Sequence, residues 1–335
     1  MILPTYSTSV IVPRVKSLNE EEEPALNIFL CFDDEFAFPT GVCAFSILKS
    51  NVDMPVNIHL VGVNVQDQTI NKFKELNFNP KAEVYFHSMD FSNCEDLTVG
   101  RKTKFFPLAT FLRLLLPNLF PSLDKFLYLD SDTLCVNSLR ELRDIDLKQN
   151  YAAVVKDIYP NRKLGPEIAS HYFNSGMLLV NARLWREVNL LQLIFDILRS
   201  GKELPAPDQD ALNIAFGDKK IILHKKYNYI QENFLAEESD KERIGDSVIV
   251  HYANRSKPWT VIYQTTLYSN YRLASPWKDE KLPLAYKNDP NSIRRYAFHK
   301  IKEGRLLEGA HLIAKYLTVE FTRKSERWAR HKIAQ

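Results

Sequence analysis

Three short stretches carry side chains that could do chemistry together. "KFLYLDSDTLCV" (125–136) ends an apolar run in Asp130-Ser131-Asp132, and "SVIVHYANRSKPW" (247–259) closes another on His251 before reaching Lys257. "NIFLCFDD" (27–34) ends in Asp33-Asp34. Carboxylates avoid burial unless they are paired or bind a metal, so the pair at 130 and 132 is either a solvated strand end or a cation seat. Alternation in an extended segment would put Asp130 and Asp132 on one face and Ser131 on the other. Two carboxylates on one face repel unless a cation bridges them. Mn²⁺ or Mg²⁺, hard ions that take oxygen ligands and bind substrate phosphates, suit that arrangement. His251 offers a further ligand, and Lys257, in a turn before Pro258-Trp259, offers a point charge for a diphosphate.

Asp-x-Asp alone is a weak pattern, and the chain has it three times. Asp144 and Asp146 lie among charged neighbours in "LRELRDIDLKQN", which reads as a solvated turn or the end of a short helix. Asp208-Gln209-Asp210 follows "LPAP" and opens a helix, where free N–H groups and the helix dipole favour Asp. Capping explains one of those carboxylates but not two with an amide between them.

Positioning such groups requires a framework. Strands are expected at 27–32, 56–63, 82–87, 125–129, 151–155, 172–181 and 247–252, and helices at 41–50, 67–76, 110–120 and about 182–199. Strands alternating with helices predict an α/β fold with a mostly parallel sheet flanked by helices. In such sheets ligands bind beyond the carboxyl ends of the strands, where both Asp33-Asp34 and Asp130–Asp132 stand.

A length of 335 residues, 45% hydrophobic and 25% charged, fits one large domain with an appendage. The organisation expected is a loose arm over 1–26, the main domain over 27–270 and a C-terminal extension over 271–335. The net charge of +3 is unevenly spread: residues 294–335 hold eleven Lys/Arg against four Glu, a net of +7, leaving −4 on the preceding 293. In that tail Leu306, Ala310, Ile313, Leu317 and Phe321 recur at helical spacing. A basic amphipathic helix can lie on an anionic membrane surface, or pack on its own domain with its Lys and Arg solvated. Confinement of the basic residues to a tail without an aromatic platform argues against nucleic acid. No apolar run approaches the ~20 residues of a membrane span, and the N-terminus lacks a basic region before its apolar residues. Cys31, Cys43, Cys94 and Cys135 form no metal-binding spacing, and a reducing compartment without disulfides is expected.

Over about residues 27–280 the chain resembles the family 8 glycosyltransferases, retaining nucleotide-sugar enzymes of the GT-A fold. The resemblance rests on the ordered set "CFDDEF", "TFLRLLLPNLF" before "KFLYLDSDTL", "YFNSGMLLVNARLW", "PDQDALN" and "HYANRSKPW". The C-terminal "YRLASPWKDEKL" and basic tail are similar to those of bacterial lipopolysaccharide core α-galactosyl- and glucosyltransferases. The resemblance implies that Asp130, Asp132 and His251 ligate Mn²⁺ (or Mg²⁺) on the diphosphate of a UDP-sugar. It implies that Asp33 contacts the uracil or ribose and that Lys257 contacts the diphosphate. Arg113, Asn174, Asp208 and Gln209 would surround the donor sugar, with Gln209 at the reacting face of the anomeric carbon. For Asn174 a simple turn in "NSG" is the alternative, and for Arg113 a buried ion pair to a carboxylate such as Asp208. The acceptor would be a lipid-linked lipopolysaccharide core oligosaccharide. The enzyme would be cytoplasmic and peripheral on the inner face of the membrane, held by its tail. Asn254 departs from the family's usual glycine in the turn before Lys257, where Arg255 is a candidate to compensate.

The mechanism expected is same-face displacement, because no carboxylate pair is evident as an obligatory nucleophile and acid. A metal-dependent nucleotidyl- or phosphotransferase would use the same carboxylates, and a membrane-associated binding module would need only the tail.

Overall fold

The computed structural model describes residues 3–14, 23–92, 108–231 and 244–333. Eleven strands are assigned among them: β1 Thr5–Val12, β2 Leu26–Asp33, β3 Val56–Val63, β4 Ala82–Asp90, β5 Lys125–Leu129, β6 Thr133–Cys135, β7 Ala152–Lys156, β8 Phe173–Asn181, β9 Lys220–Leu223, β10 Tyr229–Ile230 and β11 Ile249–His251. Eight form one sheet in the order β1-β4-β3-β2-β5-β8-β7-β9. Its β4-β3-β2-β5 centre is parallel and β8 runs antiparallel to both neighbours. This is the expected mixed α/β sheet flanked by helices.

Central strands buried on both faces read as continuous apolar runs, which is why "NIFLCF" and "FNSGMLLVN" are legible. Ile28, Leu30 and Phe32 of β2 pack with helix Ala37–Ser50 on one face. Phe29 and Cys31 pack with helices Leu108–Leu119, Leu190–Arg199 and Pro207–Phe216 on the other.

From β2 the chain builds outward through β3 and β4, then returns to lay β5 on the opposite side of β2. Strand order therefore reverses between β2 and β5, the place where an open α/β sheet leaves a crevice. Asp33 ends β2 and Asp130 follows β5 at that crevice. A second sheet, β10-β11-β6, begins immediately afterwards.

Several expectations change. Residues 1–26 are not simply a loose arm: β1 pairs antiparallel with β4 at the sheet edge, from Thr5 opposite Asp90 to Val12 opposite Val84. The helix expected over 182–199 is two helices, Ala182–Glu187 and Leu190–Arg199, separated where Asn189 turns left-handed at φ 49°. Asp144 caps the C-terminal end of the short helix Arg140–Arg143, in keeping with the solvated reading. The boundary at 270/271 falls inside helix Thr266–Ala274, and Trp277 beyond it is 2% exposed and belongs to the main core. Helix Leu306–Ile333 packs through Gly309 and Leu312, so Leu306, Leu317 and Phe321 of the expected stripe remain exposed. Cys31, Cys43 and Cys135 are buried free thiols, while Cys94 lies outside the described residues. No described helix is long and apolar enough to cross a membrane.

Candidate active site

Asp130, Ser131 and Asp132 do not continue an extended strand. They form the turn that carries the chain from β5 in the large sheet to β6 in the small one. The turn, rather than strand alternation, brings both carboxylates to one side. Ser131 is buried and its hydroxyl donates to Cys31 O at 3.4 Å. His251 arrives from β11, whose antiparallel register sets it opposite Thr133. One ligand atom each from Asp130, Asp132 and His251 lies within 4.8 Å of the others.

The oxygens of the two carboxylates are divided between fixed partners and the shared space. Asp130 Oδ1 accepts from Tyr128 Oη at 2.7 Å and pairs with Arg113 Nη2 at 2.9 Å. Asp132 Oδ2 pairs with Lys257 Nζ at 2.6 Å. Asp130 Oδ2 and Asp132 Oδ1 are left facing His251 Nε2, at 3.9 and 3.2 Å. Burial would raise the Asp132 carboxyl, but the Lys257 ammonium leads the influences that outweigh it and hold the group well below the usual carboxylate range.

Asn228 sets the histidine. Its amide nitrogen donates to Asn174 Oδ1 at 2.9 Å, so its oxygen faces His251 Nδ1 at 2.9 Å and Nδ1 must donate. In the neutral ring Nε2 then presents a lone pair to two carboxylate oxygens. Asp132 Oδ1 is buried and receives no hydrogen bond. An orphaned buried oxygen, a second carboxylate oxygen and an imidazole lone pair converging on one point fit a hard divalent cation. Gly176 admits this convergence: a Cβ there would lie 2.2 Å from His251 Cε1 and 2.7 Å from Asp130 Oδ2.

Beside the triad opens a cavity of about 240 Å³ lined by Asp33, Phe36, Arg113 and the 130–132 turn, among others. Asp33 accepts from Phe36 N at 3.0 Å, capping a short turn at the end of β2. Asp34 instead holds Gln66 and Thr69 and is structural. Lys257 is 5% exposed and donates to Tyr252 O at 2.7 Å as well as to Asp132. Asn254 Nδ2 donates to Gln231 O at 3.3 Å, tying its turn to the end of β10.

The family is decided by the match of the chain. The model of "Glycosyl transferase family 8" covers residues 27–262. The chain belongs to that family. It is 27% identical over 317 residues to a lipopolysaccharide 1,2-glucosyltransferase of Escherichia coli, covering 88% of this chain and 91% of the relative. To a lipopolysaccharide 1,3-galactosyltransferase of Salmonella typhimurium it is 29% identical over 247 residues, 70% and 72% of the two chains. The crystal structure of galactosyltransferase LgtC with donor and acceptor sugar analogs shares its fold, with TM-score 0.59 at 21% identity over 73% of this chain and 94% of that one.

In this family 8 glycosyltransferase the remaining expected residues gather on the far side of Arg113. That guanidinium is 6% exposed, pairs with Asp208 at 3.4 Å besides Asp130, and donates to Ser175 O at 2.9 Å, so the buried ion pair is what the structure holds. Burial raises the Asp208 carboxyl, partly offset by Arg113. Asp208 does not cap its helix, whose N-cap Ala206 makes no side-chain bond. Gln209 Oε1 accepts from Ser175 N at 2.9 Å, and its Nε2 donates to Asp157 Oδ2 at 3.0 Å and Tyr172 Oη at 3.1 Å. Asn174 lies in β8, not in a simple turn, and donates to Asp157 Oδ2 at 3.2 Å. Asp210 is fully buried, bonded by Tyr172 Oη at 2.6 Å and Ala206 N at 3.1 Å.

Sequence reasoning missed Asn228, Asp157, Tyr172 and Gly176. Asn228 is a single amide in "KKYNYI", and Asp157 a single carboxylate after β7. Only the close of an apolar strand in Asp157, as at Asp33 and Asp130, offered a signal.

Proposed function

We propose that this glycosyltransferase is a retaining hexosyltransferase that moves glucose or galactose from a UDP-sugar to a lipopolysaccharide core oligosaccharide with the help of a divalent cation. The observation that carries the reading is the convergence of Asp130, Asp132 and His251 on one point beside a cavity at the sheet's switch point. The names of the two enterobacterial relatives support the acceptor class.

Asp130, Asp132 and His251 would hold the cation, Mn²⁺ or Mg²⁺, which supplies charge stabilisation to a departing diphosphate. Lys257 adds a fixed ammonium on the same side, preorganised by Asp132 and Tyr252 O. Asp33 sits where the nucleoside would enter, and Arg113, Asn174, Asp208 and Gln209 surround the place of the sugar. Neither carboxylate of the 208–210 turn is free to attack carbon: Asp208 is tied to Arg113, and Asp210 to Tyr172 and Ala206 N. Gln209 is half-buried and its amide is fully oriented by Asp157, Tyr172 and Ser175. This favours same-face displacement, in which the departing phosphate oxygen takes the acceptor's proton and Gln209 faces the anomeric carbon. UDP-glucose and UDP-galactose, assayed for UDP release with and without Mn²⁺, test the donor. The anomeric coupling constant of the product tests retention. Transfer of the nucleotide instead of the sugar, or a covalent sugar adduct on Asp208, would overturn the reading.

The exposed Leu307, Phe321, Leu306 and Leu317 beside the helix's Lys and Arg support a peripheral hold on an anionic membrane surface, on the cytoplasmic face. Helix Pro290–Lys302 buries Ile293 and Ala297, so removal of 306–335 is the cleaner truncation. Unchanged sedimentation of that truncation with phosphatidylglycerol vesicles would sink the membrane hold.

A further inference from the structure

One wall of the cavity comes from beyond the family match. Tyr286 and Lys287 line it together with Asp33, Phe36 and the 130–132 turn, although the match ends at residue 262.

The segment that bears them is fixed at both ends. Val261 N and Ile262 N donate to Pro283 O and Leu284 O at 2.9 and 3.2 Å, an extended pairing just past the Lys257 turn. Ala285 and Ile293 join Ile262 and Tyr263 in a small buried cluster. Asp289 then caps helix Pro290–Lys302, accepting from Ser292 N at 2.8 Å and Ser292 Oγ at 2.7 Å. Between these anchors Lys287 and Asn288 both adopt left-handed backbone, φ 48° and 49°. Two non-glycine residues in that region in succession persist only where the surroundings over-determine them.

Tyr286 stands edge-on to Phe36, with centroids 6.1 Å apart at 85°, and edge-on to Trp259 at 6.4 Å and 84°. Phe36 and Tyr286 line the cavity and the buried Trp259 backs them, an apolar wall for a base or ribose. Lys257 Nζ and Lys287 Nζ lie 5.8 and 5.4 Å from the Tyr286 centroid. Lys287 is exposed and lines the cavity with Asp33 and Phe36. Burial, with Glu35, Asp132 and Asp33 nearby, pushes the Tyr286 phenol up, so it stays neutral.

We propose that Tyr286 and Lys287 complete the donor site, Tyr286 as a wall against the nucleoside and Lys287 as a second ammonium for a nucleoside diphosphate. This rests on the donor reading of the cavity given above. The C-terminal extension is then part of the active site and not only an appendage.

The test is calorimetric titration of the full chain with UDP and with uridine, both in Mn²⁺. Lys287→Ala should weaken UDP about 5-fold and leave uridine unchanged, with Lys287→Arg restoring UDP. Tyr286→Leu should weaken both ligands by a similar factor of about 5. Unfolding temperatures of Lys287→Ala and the parent should match, separating a ligand contact from a folding defect. Equal binding of UDP by parent and both variants overturns the proposal, as does a Lys287→Ala that loses uridine as much as UDP. A parent that binds no UDP overturns the donor reading itself, a different failure.

Discussion

Gly176→Ala is the sharpest test of the cation seat, because it adds one methyl group where two of the three candidate ligands, His251 and Asp130, meet. The new Cβ would stand 2.2 Å from His251 Cε1, 2.7 Å from Asp130 Oδ2 and 3.0 Å from Asn174 Oδ1. Carbon–carbon contact is comfortable only at about 3.5–4.0 Å, so the imidazole must retreat by more than ~1 Å or β8 must bow. His251 has no slack, being 2% exposed and held through Nδ1 by Asn228 at 2.9 Å. Overpacking of this kind costs about 1–3 kcal/mol of stability. Metal ligands tolerate only about ±0.2 Å, so the larger effect falls on the cation. We expect Mn²⁺ affinity to drop about 10–100-fold, or ~1.4–2.8 kcal/mol, with turnover falling in parallel at limiting Mn²⁺ and recovering in part at high Mn²⁺. Free Mn²⁺ measured by electron paramagnetic resonance during titration reads the affinity directly. Gly41→Ala is the matched control: its Cβ would meet Trp277 Cζ2 at 2.1 Å, and its three nearest atoms all belong to that ring. It should lose stability and keep its Mn²⁺ affinity. If Gly176→Ala binds Mn²⁺ like the parent while Gly41→Ala is destabilised, the triad is not the cation seat.

Three further outcomes are expected. Asn228→Leu removes the acceptor of His251 Nδ1 and should weaken Mn²⁺ about 10–100-fold in the same titration, while Asn228→Asp, which keeps an acceptor, should recover most of it. His59 and His87 are buried and bonded at 3.0 Å, with burial lowering them to about 3 and about 4. Both bind a proton in the unfolded chain near pH 6.5 but not in the folded one, so stability falls as pH drops below that value. Between pH 7 and 5 the loss is about 2 kcal/mol per histidine by urea unfolding, and a His87→Gln variant should show a shallower decline. Trp277→Ala empties a 2% exposed site packed on Gly41 and Phe73 and should cost about 3–5 kcal/mol, read from the denaturation midpoint.

Legibility in the sequence followed burial. β3 and β5 stand at the residues expected, 56–63 and 125–129, because strands covered on both faces must be apolar throughout. β1 was unreadable for the opposite reason. "TYSTSVIV" is a mostly exposed edge strand, and its pairing with β4 depends on residues over seventy positions away. The break at Asn189 is a single residue in left-handed backbone within an otherwise helical pattern. Of the site, the residues whose chemistry is unusual for their position were visible: carboxylates at strand ends and a histidine closing an apolar run. The residues that orient them were not, because Asn228 and Asp157 acquire meaning only from what the fold sets beside them. Arg113 was legible as a buried cation, but its choice of both Asp130 and Asp208 comes from the packing of helix Leu108–Leu119 against β2 and helix Pro207–Phe216.

The spacing of one residue between Asp130 and Asp132 acquires a physical reason from the turn. A strand would present the two carboxylates side by side with all four oxygens competing for solvent or for each other. The turn instead lets a different cation approach each from behind: Arg113 on Asp130 Oδ1, Lys257 on Asp132 Oδ2. Each carboxylate is thereby held, and each retains one unspent oxygen toward His251. Uncompensated, two such oxygens and a lone pair repel, and a cation among the three turns that repulsion into attraction. Replacing Lys257 by Met should therefore weaken Mn²⁺ in the same titration by loosening Asp132 rather than by removing a ligand.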